Sequence, residues 1–232
     1  MDTNTFNNLI SQTWPDLHAA SILGGGTFGT VYACTKTDAV TGVTQKEAVK
    51  VVRVDFTPED RANAEEEGIP FADYYRAVKE KRLQEIRWMV ALKSPHIVHI
   101  NGYTAIEEPD HSALYILIRM DCLTALDQLR PAHLDDTPEQ AAALAEKVAL
   151  DICDALRVCH QNGVLHRDIK PANILYSDVG DFYLGDFGIS KGTAQQASMT
   201  SSGTLEYAPR EVMTGQYDHR ADLYSLGLVL YA

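Results

Sequence analysis

The chain has 232 residues, 45% of them apolar, enough to bury a core in one large domain or two small lobes. Its net charge of −12 and pI of about 5.0 argue against a nucleic-acid binder, which shows a basic face, and against general attraction to anionic membranes. No apolar run approaches the ~18 residues that would span a bilayer, and the polar start Met1-Asp2-Thr3-Asn4 does not read as a signal peptide.

Four cysteines, at 34, 122, 153 and 159, form no C-x-x-C pair, which fits a reduced cytoplasmic compartment. Residues 1–16 read as a short arm whose Trp14 tucks against the first sheet. The stretch from Ser21 to Tyr32 is apolar on both sides of a glycine-rich turn and predicts strand–turn–strand. Gly24, Gly26 and Gly29 fit G-x-G-x-x-G, with Gly25 inside the turn and Val31 two places beyond it. Glycines let backbone amides reach phosphate oxygens with no Cβ in the way; a plain flexible hairpin is the alternative. A strand after the turn, where a dinucleotide site would have a helix, points toward a flap over phosphates. Residues 45–54 are β-rich. Lys50 lies between Val49 and Val51 and therefore points to the opposite face; by itself that also suits a solvated strand face.

Residues 55–70 are a charged connection with room for a short helix. From Phe71 to Lys93 the pattern turns helical, with Leu83, Ile86, Met89 and Val90 at three- and four-residue steps. Glu85 sits beside that stripe, and a carboxylate near a core face needs a partner. Lys50 is the expected one, and Lys81, four residues earlier, is the competitor. Residues 97–106 and 113–119 predict two further strands, Leu114–Ile118 being apolar enough for a buried one. Thr137-Pro138-Glu139-Gln140 is a capping box with proline in the first helical position. It opens a helix with Leu144, Val148, Ile152 and Leu156 at four-residue spacing, which Asn162-Gly163 ends. Cys153 and Cys159 are expected to pack within it.

That helix runs into His166-Arg167-Asp168-Ile169-Lys170-Pro171-Ala172-Asn173. An acid, a lysine and an amide within six residues suit phosphoryl transfer. The carboxylate orients a hydroxyl and accepts its proton, the cation steadies the migrating group, and the amide oxygen holds a metal. Two short strands follow, 174–176 and 182–184, and then Asp186-Phe187-Gly188. Residues 189–205 hold too little apolar surface to order themselves. The segment Tyr217 to Ala232 ends in the apolar half-helix Leu228-Val229-Leu230-Tyr231-Ala232.

In this order the motifs resemble the eukaryotic-type serine/threonine protein kinases. The glycine turn is similar to their flap, Ala48-Val49-Lys50 to their V-A-I-K strand, and Ser94-Pro95-His96-Ile97-Val98 to their H-P-N-I-V turn. His166–Asn173 matches H-R-D-x-x-x-x-N, Asp186-Phe187-Gly188 is D-F-G, and Asp222-Leu223-Tyr224-Ser225-Leu226-Gly227 fits D-x-x-S-x-G. Gly203-Thr204-Leu205-Glu206-Tyr207-Ala208-Pro209-Arg210-Glu211 resembles G-T-x-x-Y-x-A-P-E, with Pro-Arg where Ala-Pro is usual.

The resemblance implies a bilobal α+β fold: an arm (1–16), a small antiparallel sheet lobe (17–120) and part of a mostly helical large lobe (121–232) whose C-terminal helices are missing. It implies Lys50, held by Glu85, on the α- and β-phosphates of ATP, and Asp168 and Lys170 at the transferred group with Thr204. Asn173 and Asp186 would bind Mg²⁺. Gly24, Gly25, Gly26 and Gly29 would cover the nucleotide, with Val31, Ala48, Met120, Cys122 and Leu175 around it and Ile118 limiting the pocket's depth. Arg119 departs from the acid common there. Asp222 would brace the catalytic loop, and Arg167 would sense a phosphate on Ser198, Thr200, Ser201 or Ser202. Lys170 favours a protein substrate phosphorylated on Ser or Thr; the alternatives are a pseudokinase scaffold and a small-molecule phosphotransferase of related fold.

Overall fold

A computed structural model describes residues 1–26, 29–129, 137–187, 206–210 and 218–231. The chain divides into two units, Met1–Trp88 with His99–Cys122, and Met89–Val98 with Leu123–Ala232.

The first unit is built on a five-stranded antiparallel sheet: β1 (Leu17–Gly26), β2 (Gly29–Thr37), β3 (Thr44–Asp55), β4 (Ile100–Glu107) and β5 (Ala113–Asp121), in the order β1-β2-β3-β5-β4. The β1–β2 hairpin closes at Gly26 opposite Gly29. Gly29 has φ +123°, and a Cβ there would lie 2.2 Å from the Val51 carbonyl oxygen, so only glycine serves. Central β3 is buried on both faces from Glu47 to Val52. Val49 and Val51 join Leu17, Tyr32, Cys34 and Leu117 in one core. Lys50 takes the opposite face and is 5% exposed, which rules out a solvated position.

The N-terminal arm departs from expectation. Thr3–Ile10 is a helix, α1, capped by the Asp2 carboxylate, which accepts from Thr5 N at 2.9 Å. Its Phe6 and Ile10 are fully buried against the Val49 face, with Trp14 packed beside them as predicted. Eight residues show only two turns of periodicity, too few to reveal a helix from sequence. The charged connection contains α2 (Pro58–Glu66), opened by a reciprocal Thr57–Asp60 capping box. α3 (Phe71–Ala91) buries Tyr75 and Ile86, whereas Val90, assigned to its stripe, is exposed. Lys79 pairs with Glu107, and Tyr75 Oη donates to the Ala113 carbonyl at 3.4 Å, which ties α3 to β4 and β5.

In the second unit β6 (Thr124–Ala125), β7 (Ile174–Tyr176) and β8 (Phe182–Leu184) form a small sheet, and a short α4 (Leu126–Leu129) follows β6. α5 (Pro138–Gln161) starts at the predicted capping box and ends at Asn162, after which Gly163 takes φ +72°. Val148, Ile152, Leu156 and Cys159 pack with Ile169, Ile174, Phe182, Leu184 and, from α6 (His219–Tyr231), Leu226 and Val229.

Cys159 is buried as expected, but Cys153 lies on the exposed side of α5. Burial pushes the thiols of Cys34 and Cys159 up to about 12. At pH 8 each is then thiolate in only about one part in 10⁴, and alkylation needs the thiolate. Iodoacetamide on the native protein should therefore label Cys153 and spare Cys34 and Cys159 until denaturant is added. Mass mapping of the labelled peptides checks this, and early labelling of Cys159 would show that the α5 core is open.

Candidate active site

Between α5 and β7 the chain has no regular structure until a 3₁₀ turn at Pro171–Asn173, yet nearly every group in it is held. Asp222, in the first turn of α6 and fully buried, is the main anchor. Its carboxylate accepts from His166 N at 3.0 Å, Arg167 N at 2.8 Å and His160 Nε2 at 2.8 Å. Arg167 is thereby kept at φ +63°, a conformation that costs a non-glycine residue about 1–3 kcal/mol. Ile169 sinks into the α5 core and fixes the chain on the other side of Asp168.

Asp168 is 6% exposed. Asn173 donates through Nδ2 to the Asp168 carbonyl at 2.7 Å and to its Oδ2 at 3.0 Å, and Lys170 Nζ lies 3.1 Å from the same Oδ2. The acid, the cation and the amide read from the sequence are thus assembled at one point. The amide protons of Asn173 are committed to Asp168, which leaves its oxygen as the atom for a cation.

The segment leading to Asp186 is clamped to the same loop. Gly185 N donates to the Asn173 carbonyl at 2.9 Å, and His166 Nε2 donates to the Gly185 carbonyl at 2.8 Å. Burial lowers the His166 pKa and keeps the ring neutral, edge-on to Phe187 at 4.8 Å. Leu175 on β7 lies so close to Gly185 that a Cβ there would meet Leu175 Cδ1 at 2.9 Å. Upstream, β8 is tied to the turn after α3, through Leu184 N to the His96 carbonyl at 2.8 Å and Val98 N to the Leu184 carbonyl at 3.0 Å. Phe182 N donates to Asp151 Oδ2 at 3.0 Å, and Lys147 Nζ lies 2.8 Å from that same oxygen. Asp186 itself has φ +51°.

The remaining predicted residues lie in the first unit. Val31, Lys50 and Ile118 are neighbours across β2, β3 and β5, and Ala48 is opposite Met120, so all five share the face away from α1. Cys122 follows β5 directly. At Gly24 a side chain would meet nothing within 4 Å, so packing among the described residues does not call for glycine there. Glu85 is paired with Arg82 at 3.2 Å. Burial pushes its pKa up, and Arg82 and then Lys81 oppose that. Beside Lys50, the expected partner, and Lys81, the competitor, Arg82 was overlooked, though one turn before Glu85 it was in reach on helical spacing. Gly188, Ser198, Thr200, Ser201, Ser202, Gly203, Thr204, Leu205 and Glu211 lie outside the described residues.

Residues 17–232 match the protein kinase domain. The chain belongs to the protein kinase family. It is 36% identical to Aurora kinase B of Drosophila melanogaster over 155 residues, 66% of this chain and 45% of that protein. It is 35% identical to the serine/threonine-protein kinase PknB of Mycobacterium leprae over 156 residues, 64% of this chain and 24% of that protein. With PknH of Mycobacterium tuberculosis the identity is 29% over 218 residues, 92% of this chain and 30% of that protein. The chain spans less than half the length of each of these relatives.

Protein kinases use ATP and a divalent metal, and the donors here fit one. Asn173 and Asp186 offer hard oxygen atoms, and among the described residues no group of three His, Cys, Asp or Glu is poised to hold a metal alone. No helix among the described residues is long and apolar enough to cross a membrane.

Proposed function

We propose that this chain carries out ATP-dependent phosphorylation of serine and threonine hydroxyls on proteins, with residues 17–120 and 121–232 as the small lobe and part of the large lobe. The observation that carries the reading is the buried Asp168, bonded by Asn173 and Lys170 on a loop whose backbone is held by Asp222. A carboxylate so placed is acceptor-only and fixed in direction, as a base for a hydroxyl proton must be.

In this reading the substrate oxygen attacks the γ-phosphorus as the bond to the β–γ bridging oxygen breaks. Asp168 takes the hydroxyl proton, and ADP leaves with the bond's electrons. Lys170, with Thr204, stabilises the charge on the transferred group. Lys50 holds the α- and β-phosphates, and Glu85 supports it. Gly24, Gly25, Gly26 and Gly29 give the phosphates access to backbone amides. The open space at Gly24 supports this, because packing among the described residues does not require a glycine there. Val31, Ala48, Met120, Cys122 and Leu175 supply apolar surface for the adenine. Asn173 and Asp186 would hold Mg²⁺, which when bound supplies positive charge to the phosphates. Most of the acceleration then comes from positioning and electrostatics.

A protein acting in the cytoplasm on ATP and on Ser/Thr-containing protein fits four cysteines with no C-x-x-C pair, and with a net charge of −12 no nucleic-acid partner is expected. The scaffold alternative is disfavoured because every catalytic position is filled. The deciding assay is transfer of γ-³²P from ATP to a generic basic protein in the presence of Mg²⁺, followed by phosphoamino-acid identification. We expect phosphoserine or phosphothreonine, lost in Lys50→Met. Nucleotide binding with no transfer would move the chain to the pseudokinase class, and label recovered only in a small molecule would favour the small-molecule alternative.

A further inference from the structure

Residues 1–16 precede the part of the chain that matches the protein kinase domain, yet they are built into the sheet. Phe6 stacks on Tyr32 with ring centroids 3.9 Å apart, and Tyr32 Oη donates to the Met1 carbonyl at 2.6 Å. Asn7 Oδ1 accepts from Ala19 N at 2.8 Å, where the β1–β2 register breaks. After α1 the chain turns back, Trp14 N donating to the Ile10 carbonyl at 2.7 Å. The Trp14 ring then lies over the end of β5. The Arg119 guanidinium is 5.7 Å from the ring centroid, and the indole reaches within 3.9 Å of where a Cβ on Gly102 would stand. Gly102 is the partner of Arg119 at the irregular end of β4. On its other side Arg119 Nε is 2.7 Å from Glu47 Oε2, both side chains being largely buried. Arg119 is therefore gripped between an aromatic ring from the N-terminal segment and a carboxylate of β3. The next residue, Met120, points to the Lys50 face, and Cys122 is three residues away.

We propose that Trp14 and Arg119 are positioning residues for nucleotide binding. The N-terminal segment fixes β5 from its rear face and so sets where Met120 and Cys122 meet the adenine. The proposal rests on the kinase reading for the ligand, but its structural half, that Trp14 orders residues 119–122, stands apart from it. A ring over a guanidinium suffices for such a role, because cation–π contacts strengthen as they lose water.

The test compares Trp14→Leu with Phe6→Leu in the full chain. Both keep an apolar side chain against the sheet, but only the first removes the ring from Arg119. Hydrogen–deuterium exchange of the peptide covering 117–122 is read together with the Kd of a fluorescent ATP analogue. Trp14→Leu should speed exchange in that peptide and raise the Kd by about three- to tenfold, the scale of one partly buried cation–π contact. Phe6→Leu should lower the melting temperature while leaving both readouts near wild type. Equal changes in the two variants, or none at 117–122 in Trp14→Leu, would overturn the proposal and make the segment a cover for the sheet and nothing more. Should the wild type bind no nucleotide, the kinase reading fails by that result alone, and the exchange comparison still decides whether Trp14 orders β5.

Discussion

Asp168→Asn should lower turnover by about 10²–10⁴-fold, the usual contribution of a positioned general base, while the protein stays folded and binds ATP as before. Asparagine is nearly isosteric. Its carbonyl oxygen can still accept from Asn173 Nδ2, which now bonds Oδ2 at 3.0 Å, so the loop keeps its shape. Two things are lost. The amide cannot take the hydroxyl proton, and the Lys170 ammonium, 3.1 Å from the carboxylate in the wild type, loses its counter-charge. The expected signature is a fall in kcat with the Kd for ATP changed by less than about twofold, since neither effect removes a contact to the nucleotide. Asp168→Ala should lose as much turnover and also some stability, because Asn173 then has one acceptor fewer in a buried setting. Measurement by single turnover keeps product release out of the comparison. A loss below tenfold would show that another group takes the proton and would remove the main support for the proposed chemistry.

Much of the site could be read from the sequence because each of its parts is local. Asp168, Lys170 and Asn173 lie within six residues, so a loop of fixed length brings them together whatever surrounds it. Lys50 was placed on its own face by strand alternation alone. The long α5 showed itself through a capping box and four-residue spacing, two signals that agree. What escaped notice depends on contacts between distant segments. The ion pair of Arg119 with Glu47, and its contact with Trp14, join pieces over 70 and 100 residues apart, and neither spacing nor propensity carries that information. Asp151 reads as one more acid on a helix, paired at most with Lys147 one turn before it, and only the fold brings it to Phe182 N. His160 likewise looked like the last turn of a helix, while its ring bonds to Asp222, 62 residues on. The α1 helix was missed for a different reason: its stability comes from the sheet it covers, since eight residues in isolation do not pass the nucleation barrier. The error at Cys153 was one of phase, because a residue one step from Ile152 can fall on either side of the stripe's edge.

Asp222→Ala is expected to be the most disruptive change in the second unit, and it acts on a residue that need not touch substrate. The substitution leaves the backbone N–H groups of His166 and Arg167 and the ring N–H of His160 without their acceptor. A buried donor left unsatisfied costs about 1–3 kcal/mol; the His166 N–H is buried and the other two donors are half-buried, so together they should lower stability by about 3 kcal/mol. For a chain of this size that corresponds to a fall of roughly 6–12 °C in Tm. The effect on chemistry has a separate origin. Arg167 at φ +63° is strained by about 1–3 kcal/mol, and the bond from its N to Asp222 is what holds it there. Once released, the residue relaxes toward negative φ and carries Asp168 with it, and a displacement of about 1 Å at a reacting group can cost about 10²-fold in rate. Asp222→Asn separates the two effects. One carboxamide oxygen can still serve Arg167 N, but the NH₂ group faces two donors, His166 N and His160 Nε2, where the second oxygen stood, so stability should fall while much of the turnover survives. His160→Ala, which removes one of the three donors with its acceptor intact, should change Tm by only a degree or two. Assays at 10 °C, with folding checked by circular dichroism, keep unfolding out of the rate. If Asp222→Ala is folded under those conditions and turns over at the wild-type rate, the strained Arg167 backbone has no part in placing Asp168. The base would then owe its position to its other contacts, Asn173, Lys170 and the buried Ile169 among them.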